Sequence, residues 1–224
     1  MKLSKGWLAT IIIVAVILID QIMKIWVKTN FFYGEEYTIT DWFRIYFIEN
    51  NGMAFGFEFG SKLVLTWFRI IAVGLFIYYI YKIKSRNDIK TGFLVCISLI
   101  TAGAAGNVID CIFYGLIFNA PAFPQTATLF PPDGGYGTIF NGRVVDMLYF
   151  PLVEWDWPEW LPYIGGNHFV FFQPIFNIAD AALSVGVIVM ILFYSKHLSG
   201  NALRINTEEN TDTDTDTDTD NDND

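Results

Sequence analysis

The 224-residue sequence holds only two cysteines, Cys96 and Cys111, and two histidines, His168 and His197. Metal sites in proteins usually draw on three or four Cys, His or acidic ligands at close spacing, so no metal and no cofactor is expected. The cysteines read as buried filler. A Gly-x-Ser-x-Gly elbow is missing as well, which removes one common route to a serine nucleophile. Basic excess is also lacking: 14 Lys and Arg stand against 23 Asp and Glu, a balance that excludes a nucleic-acid partner. The acidity is local, because residues 1–206 carry all 14 basic residues and 14 of the 23 acids. The remainder sits in Glu208, Glu209 and the Thr-Asp and Asn-Asp repeat that closes the chain. Residues 207–224 are therefore expected to be a disordered acidic tail, with too little apolar surface to fold.

Charge is scarce elsewhere, and apolar residues make up 53% of the chain. A bilayer-spanning helix needs about 20 mostly apolar residues, because hydrocarbon offers its backbone no hydrogen bonds. Four segments qualify: about 6–27, 63–81, 91–110 and 174–195. The first resembles a signal peptide in its Lys2/Lys5 head but lacks a small-x-small cleavage site, so it is read as retained. Lys2, Lys5, Lys82, Lys84, Arg86, Lys90, Lys196 and Arg204 crowd short segments on one side of the membrane. Lys and Arg in short loops mark the cytoplasmic side, so both termini are expected there. The outer side then holds two long loops, 28–62 and 111–173. In the first, Glu36–Thr40 and Trp42–Ile48 read as strands of a small sheet at the membrane surface. The second is rich in Pro, Gly and Trp, and its indole rings suit the headgroup level. The expected fold is an all-α membrane protein: four transmembrane helices, a small extracytoplasmic β-sheet and an extended extracytoplasmic loop, with residues 1–206 forming one domain.

A carboxylate within a span costs at least about 2.5–3.5 kcal/mol and asks for a reason. Asn177, Asp180 and Ser184 share one face of the fourth span, and Asn107 and Asp110 repeat that spacing at the outer end of the third. Gly103 and Gly106 below them allow a second helix to approach closely. Asp20 and Lys24 stand at i, i+4 on the first span in the favourable order for an ion pair, and read as a self-neutralising structural pair. Asn107 with Asp110 fits helix-end satisfaction as well as function. Arg69 reads as an anchored or snorkelling cation with a structural role. Asp180 has no basic residue within a turn, so a functional role is expected for it. Asp146 lies in an apolar stretch of the outer loop, and Asn50-Asn51-Gly52-Met53-Ala54-Phe55-Gly56 precedes the second span.

Asp20-Gln21-x-x-Lys24, Asn50-x-Gly52-x-Ala54-Phe55, Gly103-x-x-Gly106-Asn107-x-x-Asp110, Val144-Val145-Asp146 and Phe176-Asn177-x-Ala179-Asp180 follow one another along residues 7–195. In order and topological place they resemble the motifs of the lipoprotein signal peptidases, also called signal peptidase II. The resemblance implies an aspartic endopeptidase of the bacterial inner membrane that removes signal peptides from prolipoproteins, just before a diacylglyceryl-modified cysteine. It implies Asp146 and Asp180 as the catalytic pair, with Asn50, Asn107, Asp110 and Asn177 in support, alongside Asp20 and Lys24. Membrane phospholipid would surround the chain, which is expected to be a monomer. The family usually carries Arg after the aspartate of its Gly-Asn-x-x-Asp motif, whereas here that position is Cys111. Arg143, three residues before Asp146, or another basic group is the expected source of the missing charge. Asp110 and Asp146 are also further apart than the resemblance implies, which leaves an insertion at about 111–142. Two other classes stay open at this point: a small ion or proton transporter using Asp110 and Asp180, and a non-catalytic lipid-binding or assembly protein. Proximity of Asp146 to Asp180 discriminates among them.

Overall fold

A computed structural model describes residues 3–50 and 62–195. The Asn51–Gly56 part of the asparagine-glycine motif and the acidic tail lie outside the described residues. The order of elements is α1 (Lys5–Asn30), β1 (Glu36–Thr40), β2 (Phe43–Asn50), α2 (Lys62–Ile83), α3 (Thr91–Ile117), β3 (Val144–Tyr149), β4 (Val153–Asp156), β5 (His168–Phe171) and β6 (Ile175–Phe176). A last helix, α4 (Ile178–Ser195), completes the four among the described residues that are long and apolar enough to cross a membrane.

Ser4 starts α1 by accepting a hydrogen bond from the Trp7 amide at 3.3 Å. At the same end, Lys5 Nζ donates to the carbonyls of Arg86 and Ile89, both at 2.7 Å, tying α1 to the link between α2 and α3. The helices are not equivalent. In its most apolar stretch α3 is 67% buried, against 17% for α1, 11% for α2 and 17% for α4. It is thus the central post, and the other three cover it while turning residues such as Leu18, Ile22, Phe68, Leu75 and Leu192 outward. One apolar core, with Ile83, Phe93, Leu94, Ile97 and Met190, joins the helices near the Lys5 end. A second, with Val27, Phe47, Phe118, Val145 and Met147, joins the other end of α1 and α3 to the sheet.

That sheet runs β1-β2-β3-β6, and β4 and β5 form a separate hairpin. The outer loop expected at 111–173 therefore carries three strands, β3, β4 and β5, and β6 follows it. It also carries the last turns of α3, which continue past Asp110 to Ile117. Backbone amides of the insertion return to this helix end: Gly142 to the Cys111 carbonyl (2.9 Å), Gly137 to Gly115 (2.9 Å), Phe130 to Ile117 (2.7 Å) and Tyr136 to Phe118 (2.8 Å). The bonds to Gly115 and Ile117 satisfy carbonyls that a helix end otherwise leaves unpaired. Residues 118–142 are thus packed on α3 and deliver β3 to its side.

Candidate active site

Three elements converge at the outer end of α3. β2 pairs antiparallel with β3, placing Ile48 opposite Asp146, Glu49 opposite Val145 and Asn50 opposite Val144. Alternation along a strand puts Asn50 and Asp146 on one face and Glu49 and Val145 on the other. β6 then pairs with β3 through Phe176 and Leu148, so the chain reaches α4 beside Asp146. Asn177 caps α4, its Oδ1 accepting from the Asp180 amide at 2.9 Å. Because that oxygen is engaged, the Asn177 amide nitrogen is turned to β3, where it donates to Asp146 Oδ1 at 2.8 Å. The helix begins at Ile178 and not near Pro174, which sets Asp180 in its first turn.

Lys24 fixes the other side. Its ammonium is fully buried and has three N–H bonds for three acceptors: Asp20 Oδ2 at 2.9 Å, Asp110 Oδ2 at 2.7 Å and Asn107 Oδ1 at 2.8 Å. The contact with Lys24 orients the Asn107 amide oxygen inward. Its nitrogen consequently donates to Asp180 Oδ1 at 2.7 Å. Asp20 does double service, since its Oδ1 accepts from the Ala179 amide at 2.9 Å and so holds the first turn of α4. Asp110 accepts from Gln21 at 2.8 Å and from the Val145 amide at 3.4 Å, tying α1 to β3. Asp146 and Asp180 are thereby gripped by Asn177 and Asn107, which touch each other at 3.1 Å.

Burial first, and the Asp180 carboxylate second, push the Asp146 carboxyl up to about 7, against hydrogen bonds from Asn177 and Asn50 and the charge of Lys24. A pair of this kind retains a proton near neutrality. Among the described residues, no group of three or more His, Cys, Asp or Glu could hold a metal ion.

Nearly every residue expected at the site is brought together: Asp20, Lys24, Asn50, Asn107, Asp110, Asp146, Asn177 and Asp180. Arg143 is the correction. Its guanidinium pairs with Glu49 at 2.9 Å, and Asp110 is neutralised by Lys24 instead. The register explains this, because Glu49 lies opposite Val145 and shares with Arg143 the sheet face turned away from Asp146. That hydrogen bond holds the Arg143 pKa above its ordinary value. Glu49 also pairs with Lys28, which lies beneath the rings of Phe118 and Tyr136 at 5.1 and 5.3 Å. The roles of Gln21, Lys28, Glu49 and Tyr114, whose hydroxyl donates to Gln21 at 3.1 Å, went unread in the sequence. One signal was available: Lys24 and Lys28 at i, i+4 place two cations on one helix face, and each requires an acid.

A buried carboxyl, Asp146, and a half-buried one, Asp180, both held by amides beside the four membrane-length helices of the described residues, are the arrangement of a multi-pass membrane aspartic peptidase. The family model described as signal peptidase (SPase) II matches residues 12–196. A lipoprotein signal peptidase of Porphyromonas gingivalis is 49% identical over 198 residues, covering 88% of this chain and 87% of the relative. One from Amoebophilus asiaticus is 35% identical over 216 residues, 93% and 86% of the two chains. A bacterial membrane enzyme structure obtained by the in meso method at 1.9 Å superposes with a TM-score of 0.55 at 25% identity, over 84% of this chain and 93% of that one. The chain belongs to the signal peptidase II family and is a peptidase of the membrane. The transporter and non-catalytic readings are not favoured.

Proposed function

We propose that this chain cleaves signal peptides from prolipoproteins on the N-terminal side of the diacylglyceryl-modified cysteine, with Asp146 and Asp180 as the catalytic pair. The observation that carries the reading is the amide bridge: Asn177 holds Asp146 and Asn107 holds Asp180, so two carboxyls from different elements face one space. One carboxylate takes a proton from water, and the hydroxide attacks the scissile carbonyl carbon. The other carboxyl gives its proton to the developing oxyanion, and the pair then protonates the leaving amine as the tetrahedral intermediate collapses. The assignment of acid and base belongs to the pair. Asn107 and Asn177 keep both groups oriented, while Lys24, Asp20 and Asp110 hold the asparagines and the first turn of α4.

The layout supports a cytoplasmic location for both termini and an outward-facing site. Lys5, bonded to the link between α2 and α3, lies in this reading at the cytoplasmic end, and the sheet at the other. In this reading the signal-peptide helix lies among the spans and the diacylglyceryl chains stay in phospholipid. Residues 1–206 act as one monomeric domain.

The test is incubation of the purified chain with a diacylglyceryl prolipoprotein peptide and with its unlipidated counterpart, the products being identified by mass. A product beginning at the lipidated cysteine, with the unlipidated peptide intact, is expected. Cleavage elsewhere, or equal cleavage of both peptides, overturns the reading.

A further inference from the structure

Arg69 is the single charged residue between Lys62 and Lys82 in α2. An arginine at that depth either reaches along its helix to water or turns into the protein. Here it turns inward: Nη1 lies 3.6 Å from Cys111 Sγ on α3. It is one of three polar residues along one stripe of α2. Thr66 is buried, and Lys62 Nζ donates to the Asn141 carbonyl at 2.9 Å. Lys62, Thr66 and Arg69, spaced i, i+4, i+7, therefore face α3 and the returning insertion, not lipid. Across from them Cys111 stands four residues beyond Asn107 on the same face of α3. The residue that Arg69 touches thus stands about one helical turn outward of Asn107, whose amide holds Asp180.

We propose that Arg69 is a substrate-binding residue whose guanidinium donates to carbonyl oxygens of the bound lipopeptide beside the scissile bond. This rests on the reading of Asp146 and Asp180 given above. A peptide must be extended to be cut, and its carbonyls then lack the internal partners of a helix, a costly state where water is scarce. The lipid brings further carbonyls in its two acyl esters. A guanidinium is donor-only, with five N–H bonds in a planar fork, and suits either source. Cys111 leaves room for it, since a thiol side chain is short where the resemblance places an arginine on α3 itself.

The experiment is equilibrium binding of a diacylglyceryl prolipoprotein peptide whose scissile amide is reduced to CH2–NH, so that affinity is read without cleavage. The full chain, Arg69→Leu, Arg69→Lys and the double variant Arg69→Leu/Cys111→Arg are compared, with thermal melting as the check on folding. Arg69→Leu is expected to weaken binding about 10-fold or more, Arg69→Lys to lie between, and the double variant to recover most of the loss. Arg69→Gln takes the place of Arg69→Leu should the latter fail to fold. A dialkyl ether version of the peptide separates the sources. If it binds wild type as well as the ester does, the peptide backbone supplies the carbonyls; if it binds as weakly as the ester binds Arg69→Leu, the acyl esters do. Unchanged affinity in folded Arg69→Leu, or a double variant no better than the single one, overturns the proposal. Normal binding by a wild type that fails to cut the unmodified peptide would count against the catalytic reading alone.

Discussion

Lys24 illustrates how a single residue sets the site. Its three contacts neutralise Asp20 and Asp110 and turn Asn107 toward Asp180. Breaking a buried ion pair by removing one partner costs about 3–5 kcal/mol, because the other charge stays buried and uncompensated. Lys24→Met is therefore expected to lower stability by about that much and to abolish turnover. The triple change Asp20→Asn/Lys24→Met/Asp110→Asn should recover much of the stability, measured by melting in detergent, but not the activity. Asp146 gives the second expectation at this scale. Its carboxyl is raised from 3.8 to about 7 in the folded chain, so the folded state keeps a proton that the unfolded state releases. The sign follows: stability from this group is full below about pH 4 and is lost as pH rises through about 7. Asp146→Asn should flatten the fall in stability between these values and gain on wild type at pH 8, by on the order of 4 kcal/mol. A pH slope unchanged in the variant would contradict the placement of Asp146 in a buried, charge-coupled pair.

Between elements, close approach of α3 and α4 is what presents Asp180 to Asn107. A Cβ at Gly103 would meet the Ala179 carbonyl oxygen at 2.2 Å and Leu183 Cβ at 2.8 Å, both parts of α4. Gly103→Ala should therefore push α4 away, cutting turnover at least 10-fold and lowering the melting temperature. Gly74, in the middle of α2, has nothing within 4 Å of the same position. Gly74→Ala should leave activity intact and add up to ~1 kcal/mol of helix stability. Equal effects of the two substitutions on turnover would refute the packing argument. The helices and the polar residues along them were legible in the sequence because runs of some 20 apolar residues admit few folds, and any charge inside them stands out. β1 and most of β2 were legible too. β3 was not: Val144-Val145-Asp146-Met147 is buried on both faces and shows no alternation to mark it as a strand. The start of α4 was misplaced for a similar reason, since Ile175 and Phe176 belong to β6 and only Asn177 caps the helix. Arg143 was misassigned because its partner depends on the β2–β3 register, which involves residues nearly a hundred positions apart.

The whole molecule is a central post, α3, covered by three lipid-facing helices, with a sheet and a packed insertion on the end that carries the carboxyls. Its orientation has a direct check, because both native cysteines, Cys96 and Cys111, are buried. A cysteine introduced at Tyr163, which is 101% exposed, should react with a membrane-impermeant thiol reagent on intact cells, and one at exposed Ser85 only after lysis. The reverse pattern would invert the topology. The central claim is that Asp146 and Asp180 together cut the peptide bond, and it is tested most directly by cleavage of a diacylglyceryl prolipoprotein peptide by wild type, Asp146→Asn and Asp180→Asn, each verified as folded. The account predicts cleavage by wild type and a loss of at least about 10³-fold in both variants, whereas near-normal turnover by either folded variant would contradict it.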